Sequence, residues 1–159
     1  MQPTLIILII IAGILVILGI ICLDFYSIYS SLRDGTTKLP AGATVAVQGK
    51  EISRKSLLFE SLFSDCYFDG DHLYISQPNA SARYPLKNIT EIADTNIRFN
   101  KRRVWKISVT DENGQKMTFN FWPKAYLFKI NSEDFLNFLE ATKKANPDAI
   151  LSEWEWWKQ

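Results

Sequence analysis

The chain has 159 residues, 47% of them hydrophobic and 22% charged, with 18 basic against 17 acidic side chains. Every charge lies beyond Leu23, so an uncharged first stretch is followed by a charged, near-neutral remainder long enough for one domain. That balance excludes the broadly basic face that nucleic acid as main partner calls for, and two cysteines with a single histidine exclude a structural zinc site.

Leu5 to Leu23 reads LIILIIIAGILVILGIICL, in which fifteen of nineteen residues are Leu, Ile or Val. As a helix this run spans about 28 Å, against roughly 30 Å of bilayer hydrocarbon. Phe25, Tyr26 and Tyr29 follow where an interfacial aromatic belt would stand. A cleaved signal peptide calls for a positive n-region and a shorter apolar core, and neither is present. Cys22 suggests a lipoprotein signal, but Ile21 stands where such signals place a small residue. Gly13 and Gly19 are too far apart for a GxxxG dimer face. The expectation is an integral, single-pass transmembrane anchor with its interfacial turn over residues 1–32. Arg33 and Lys38 flank the C-terminal end of the run, with only the α-amine on the other side, so the positive-inside rule predicts a cytoplasmic domain. A disulfide between Cys22 and Cys66 is not expected, because one thiol would lie at lipid depth.

The helix is predicted to run on to about Leu32 and to stop at Asp34-Gly35. Residues 33–50 read as a linker with a first short strand at Ala43 to Val47, and 51–159 as the soluble domain. Ile52 to Phe63 fits a short helix or a strand and turn equally well. Cys66 to Phe68, the turn Asp69-Gly70-Asp71 and His72 to Ser76 form a hairpin in sequence form. Gln77-Pro78-Asn79 turns the chain, and Pro85 marks Arg83 to Leu86 as an edge strand. Ile89, Ile92 and Ile97 mark extended chain. Val104 to Thr110 and Lys116 to Trp122 alternate about the turn Asp111-Glu112-Asn113-Gly114, and the second stops at Pro123. An amphipathic helix follows, capped by Asn131 or Ser132. It carries Glu133 and Asp134 in its first turn, a stripe of Phe135, Leu136, Phe138, Leu139 and Thr142, and Lys143-Lys144 before Asn146-Pro147. Ile150, Leu151, Trp154 and Trp157 predict a second short helix behind Pro147. The fold class expected is an N-terminal transmembrane helix plus a mainly-β, α+β domain, an antiparallel barrel or sandwich capped by a C-terminal helix.

Four segments in this order carry a family resemblance: His72-Leu73-Tyr74-Ile75, then Tyr84-Pro85-Leu86-Lys87-Asn88-Ile89-Thr90-Glu91-Ile92, the hairpin about Asn113-Gly114, and the helix Asn131 to Asn146. From about Cys66 to Pro147 the chain resembles bacterial pleckstrin-homology-like and GRAM-like domains. The resemblance implies a seven-stranded, strongly bent sheet capped by a helix, with membrane attachment common among relatives. It speaks to fold and hardly to function.

Residues for enzyme chemistry are sparse. No Ser or Cys has a histidine at motif spacing, His72 sits beside a turn, and there is no phosphate-cradling glycine loop. Asp65, Asp69 and Asp71 lack the spacing and distal Glu of a calcium loop and read as a solvated turn. No catalytic, metal or cofactor site is expected. Arg98, Lys101, Arg102, Arg103 and Lys106 fall within nine residues with no acid among them. They are candidates for anionic lipid or a partner protein, since each basic residue near a negative leaflet gains about 1 kcal/mol. A solubilising loop is the competing reading. Trp154, Trp156 and Trp157 crowd the tail, for core packing or for a partner. The expected function is a membrane-anchored, non-enzymatic interaction module that binds a protein partner, with anionic headgroup binding by residues 98–106 as the alternative.

Overall fold

The computed structural model describes residues 3–53, 62–99, 102–123 and 133–153. Its first element is α1 (Pro3–Asp34), 32 residues and about 48 Å long. This helix is long and apolar enough to cross a membrane, and its apolar stretch from Ile9 to Leu23 is exposed along its whole length. Between its terminal turns a continuous helix satisfies every backbone group within itself, which lipid requires. Burial begins only after Tyr26, at the half-buried Ile28, and culminates in Leu32, which is 1% exposed.

The rest folds as two four-stranded sheets. The first has the order β1-β2-β3-β4, all antiparallel: β1 (Lys50–Glu51), β2 (Asp65–Phe68), β3 (His72–Gln77) and β4 (Ala80–Pro85). A single 3-10 turn, Leu86–Asn88, leads to the second sheet, ordered β7-β6-β5-β8. Here β5 (Ile89–Phe99), β6 (Arg102–Thr110) and β7 (Lys116–Phe121) form an antiparallel meander, and β8 (Ile150–Leu151) adds in parallel on the outer edge of β5. Neither sheet closes on itself. The helix α2 (Glu133–Ala145) buries Phe135, Phe138 and Leu139 in one core shared with both sheets. Phe135 meets Trp105 edge-on at 5.5 Å and Phe138 meets Phe68 edge-on at 5.4 Å, so the helix ties the second sheet to the first.

Local chemistry explains the hairpins. In the β2–β3 turn the Asp69 carboxylate accepts the amides of Asp71 (3.0 Å) and His72 (2.8 Å), while Gly70 takes a φ of 108°. In the β6–β7 turn Asp111 Oδ1 accepts from Asn113 and Gln115, and only Gly114 takes positive φ. Gly49 enters β1 at a φ of 89°, and a Cβ there would lie 2.2 Å from the Phe68 carbonyl oxygen, so no other residue fits.

Four sequence expectations are corrected. Ala43 to Val47 is not a strand. It runs beside β4, held by the Ser81 hydroxyl, which bonds both the amide (2.8 Å) and the carbonyl (2.7 Å) of Val45, and by the Ser81 amide on the Ala43 carbonyl. The edge strand starts at Ala80 rather than Arg83, because its register with β3 extends to the turn at Pro78-Asn79. Residues 150–151 form β8, not a helix: the free edge of β5 supplies ladder partners, and the Ser152 amide continues them on the Ile92 carbonyl at 2.9 Å. Leu136 is 44% exposed and leaves the buried stripe to Phe135, Phe138, Leu139 and Thr142. The expected caps Asn131 and Ser132, most of the ambiguous segment 52–63 and the tail tryptophans Trp154, Trp156 and Trp157 lie outside the described residues.

Candidate functional site

The basic stretch occupies the tip of the β5–β6 hairpin. The ladder between these strands is interrupted between Asp94 and Arg98. Side chains bridge the gap: Asp94 Oδ1 accepts the Asn96 amide (2.7 Å), Thr95 Oγ1 donates to the Val104 carbonyl (2.8 Å), and the Ile97 amide donates to Thr95 Oγ1 (3.3 Å). Asn96 takes a φ of 60°, a left-handed conformation that Asn tolerates better than most residues. Such a bulge bends a strand and re-aims the residues beyond it. Pairing then resumes as Arg98↔Arg103 and Phe99↔Arg102.

The five candidate cations do not act as one patch. Arg103 donates from Nη1 to Asp94 Oδ2 in a partly buried pair. Lys106 Nζ lies 2.8 Å from Glu91 Oε1, and Lys116 approaches the other oxygen at 3.6 Å. Partial burial works to raise the Glu91 carboxyl, but the bonds and charges of Lys106, the charge of Lys116 and the Ser108 hydroxyl outweigh it and hold its pKa below the ordinary value. Arg103 and Lys106 are thus neutralised within the sheet. Arg98 and Arg102 are exposed at the tip, and Lys101 lies outside the described residues. Sequence reading could not separate these cations, because their acidic partners stand on β5, up to fifteen residues away.

The same end of the domain receives the end of α1. Leu32 packs with Leu62, Phe63, Val104 and Trp122, and Ile28 and Ile97 join this second apolar cluster. Trp122 stacks on Phe63 at 4.1 Å. Asn120 on β7 is 3% exposed and donates from Nδ2 to the Leu32 carbonyl (3.0 Å) and to Thr36 Oγ1 (2.7 Å). The Thr36 hydroxyl reaches the carbonyls of Leu32 (3.0 Å) and Leu62 (3.2 Å). These bonds satisfy a terminal carbonyl that a helix end leaves without a partner. The chain then continues as a strap. The Thr37 amide donates to the Thr118 carbonyl (2.6 Å), the Thr118 amide to Thr37 Oγ1 (2.9 Å), and Gln77 bonds both the Thr37 carbonyl and the Leu39 amide. The segment read as a linker is bonded to both sheets.

Other polar groups have structural work. Asp69, besides its two turn amides, accepts from the Tyr74 hydroxyl at 2.7 Å, and His72 Nδ1 stands 3.7 Å away. Burial works to raise the Asp69 carboxyl, but Tyr74, the two amides and His72 together lower it. Burial chiefly, with the charge of Asp65, pushes the Cys66 thiol well above its ordinary pKa, and the side chain is fully enclosed. Tyr84 is pushed up to about 12 by burial and by Asp111. Among the described residues no group of three His, Cys, Asp or Glu side chains is placed to hold a metal ion. No family model, curated protein or solved structure matches the chain.

Proposed function

We propose that the chain is a membrane-anchored, non-enzymatic interaction module. In this reading α1 spans the bilayer once, and the domain stands on the cytoplasmic side, where Arg33 and Lys38 favour it. It presents its surface to a protein partner. The docked helix end carries the proposal. Leu32, Thr36 and Asn120 clamp the anchor to the domain, which a flexible tether would not need. A fixed attitude restricts which surfaces a second membrane-bound protein can meet. The order of elements supports reading the domain as pleckstrin-homology-like: a four-strand meander, a three-strand meander, then a helix packed against both sheets.

Cross-linking in living cells tests this. The tagged full chain should capture a discrete partner band, and Asn120→Leu, which removes the clamp, should weaken that band severalfold. A yield no greater than that from the anchor fused to an unrelated domain would overturn the reading.

A further inference from the structure

The two ends of the β2–β3 hairpin have different surroundings. At one end the Ser64 amide bonds the Asn120 carbonyl and Gln77 bonds the strap, so this end belongs to the clamp. The turn Asp69-Gly70-Asp71 stands at the other end, about 13 Å of strand away. There the turn and the first turns of α2 border an open cleft of about 290 Å³. Phe68 lines it from the sheet and is fixed edge-on against Phe138 of α2 at 5.4 Å. Asp134 and Asn137 line it from the helix, at a spacing that puts them on one face.

Charge in the cleft is unequal. Asp69 and Asp134 line it, Asp71 and Glu133 stand beside them in the chain, and Lys50 is the cation among the lining residues. Arg83, which bonds the Tyr74 hydroxyl, does not line it. Burial works to raise the Asp69 pKa, but Tyr74, the two turn amides and His72 lower it, so the carboxylate stays charged. Those same partners occupy its two oxygens. Asp134 is placed differently. Lys50 Nζ meets its Oδ1 at 3.0 Å, yet the two side chains are 74% and 38% exposed, and such an exposed pair is held weakly. Asp134 Oδ2 and the Asn137 side-chain amide make no hydrogen bond among the described residues. An ammonium satisfies one carboxylate oxygen, whereas a guanidinium fork satisfies both.

We infer that this cleft receives the protein partner, through an arginine side chain that takes the Asp134 carboxylate from Lys50 and lies against Phe68. The acidic walls supply the complementary charge, the Asn137 side-chain oxygen accepts a further N–H, and the Phe68 ring offers its face to the cation. Its place at the hairpin end remote from α1 suits a protein segment rather than a headgroup. Free arginine is disfavoured, because Asp69, Asp71 and Glu133 repel its own carboxylate. The inference rests on reading the chain as an interaction module and adds the chemistry of its partner, a basic segment that bears arginine.

Amide NMR of the full chain in detergent micelles, titrated with acetylated triarginine amide, tests the cleft. The Gly70 and Asn137 signals should shift along a saturable curve, and about 0.5 M salt should weaken the binding. Asp134→Asn should weaken it at least about threefold, and Lys50→Ala should tighten it at least about twofold. The exposed control Asp148→Asn should leave it unchanged, and the buried Ile107 and Val109 signals report that each variant is folded. Trilysine amide should bind more weakly, and free arginine at equal guanidinium concentration more weakly than triarginine. The cleft is overturned by the absence of saturable shifts, by native affinity in Asp134→Asn, by equal loss in Asp148→Asn, or by Lys50→Ala binding no tighter. Trilysine or free arginine that matches the triarginine probe overturns it as well. Cross-linking in cells separates this inference from the module reading. Asp134→Asn should weaken the partner band severalfold. A band of native strength in that variant sinks the cleft and leaves the module standing. A native chain that binds triarginine in this manner, but gives no band above the anchor control, sinks the module reading while the arginine site stands.

Discussion

Gly49, Asn120 and Glu91 show how single side chains carry this structure. Alanine at Gly49 meets the Phe68 carbonyl at 2.2 Å and must also hold a φ of 89°, so Gly49→Ala should cost about 1–3 kcal/mol and lower the melting temperature by several degrees. Gly114→Ala meets nothing within 4 Å and should cost only the left-handed backbone term of about 1–2 kcal/mol, a smaller shift in the same melt. Asn120→Leu leaves the Leu32 carbonyl short of a donor, and about 1–3 kcal/mol should be lost on heating the full chain in detergent. Because the folded-state pKa of Glu91 is lowered, its contribution is complete above its unfolded value near 4.5 and fades as pH falls through the folded value. The melting-temperature gap between the native chain and Glu91→Gln should therefore be largest at neutral pH and shrink between about pH 5 and 3. A gap that widens with acid would mean the ion pairs to Lys106 and Lys116 do not stabilise the fold. Cys66, enclosed and with its thiol pushed up, should resist maleimide until the domain unfolds.

At the scale of elements, the sequence was legible wherever a period or a turn left a local mark. The anchor shows in composition, β6 and β7 in clean alternation, and the hairpins in Asp69-Gly70-Asp71 and Asn113-Gly114. The misread elements have no local signature. Two residues, Ile150 and Leu151, cannot display a strand period, and with Trp154 they satisfy a helical one. What makes them β8 is the open edge of β5, a partner some sixty residues earlier in the chain. Ala43 to Val47 has strand composition, but the Ser81 hydroxyl occupies the amide and carbonyl of Val45 that a ladder would need. The candidate site was legible in its charges and not in its arrangement. Asn120 reads as an outward polar residue of an alternating strand, and only the arrival of α1 turns it into a buried clamp. Ser152→Pro tests the β8 assignment: removing the amide that bonds Ile92 should raise exchange at the β5 edge and lower the melting temperature by a few degrees, and unchanged exchange along β5 would overturn it.

For the whole molecule, the clamp between α1 and the domain governs more than position. Transmembrane helices tilt by about 20° on average, and the tilt grows when the apolar stretch exceeds the local bilayer thickness. A domain on a loose tether would not register such a change. Here the last turn of α1, the strap at Thr36–Leu39 and the sheet edge move together, so the helix acts as a lever arm with the domain at its end. A 20° tilt displaces the end of a rigid arm by about a third of its length. In bilayers of short-chain lipids the domain should lean and one flank approach the surface, and in long-chain lipids it should stand upright. With α1 spanning a bilayer as proposed, bilayer thickness is converted into the angle at which the domain meets its surroundings.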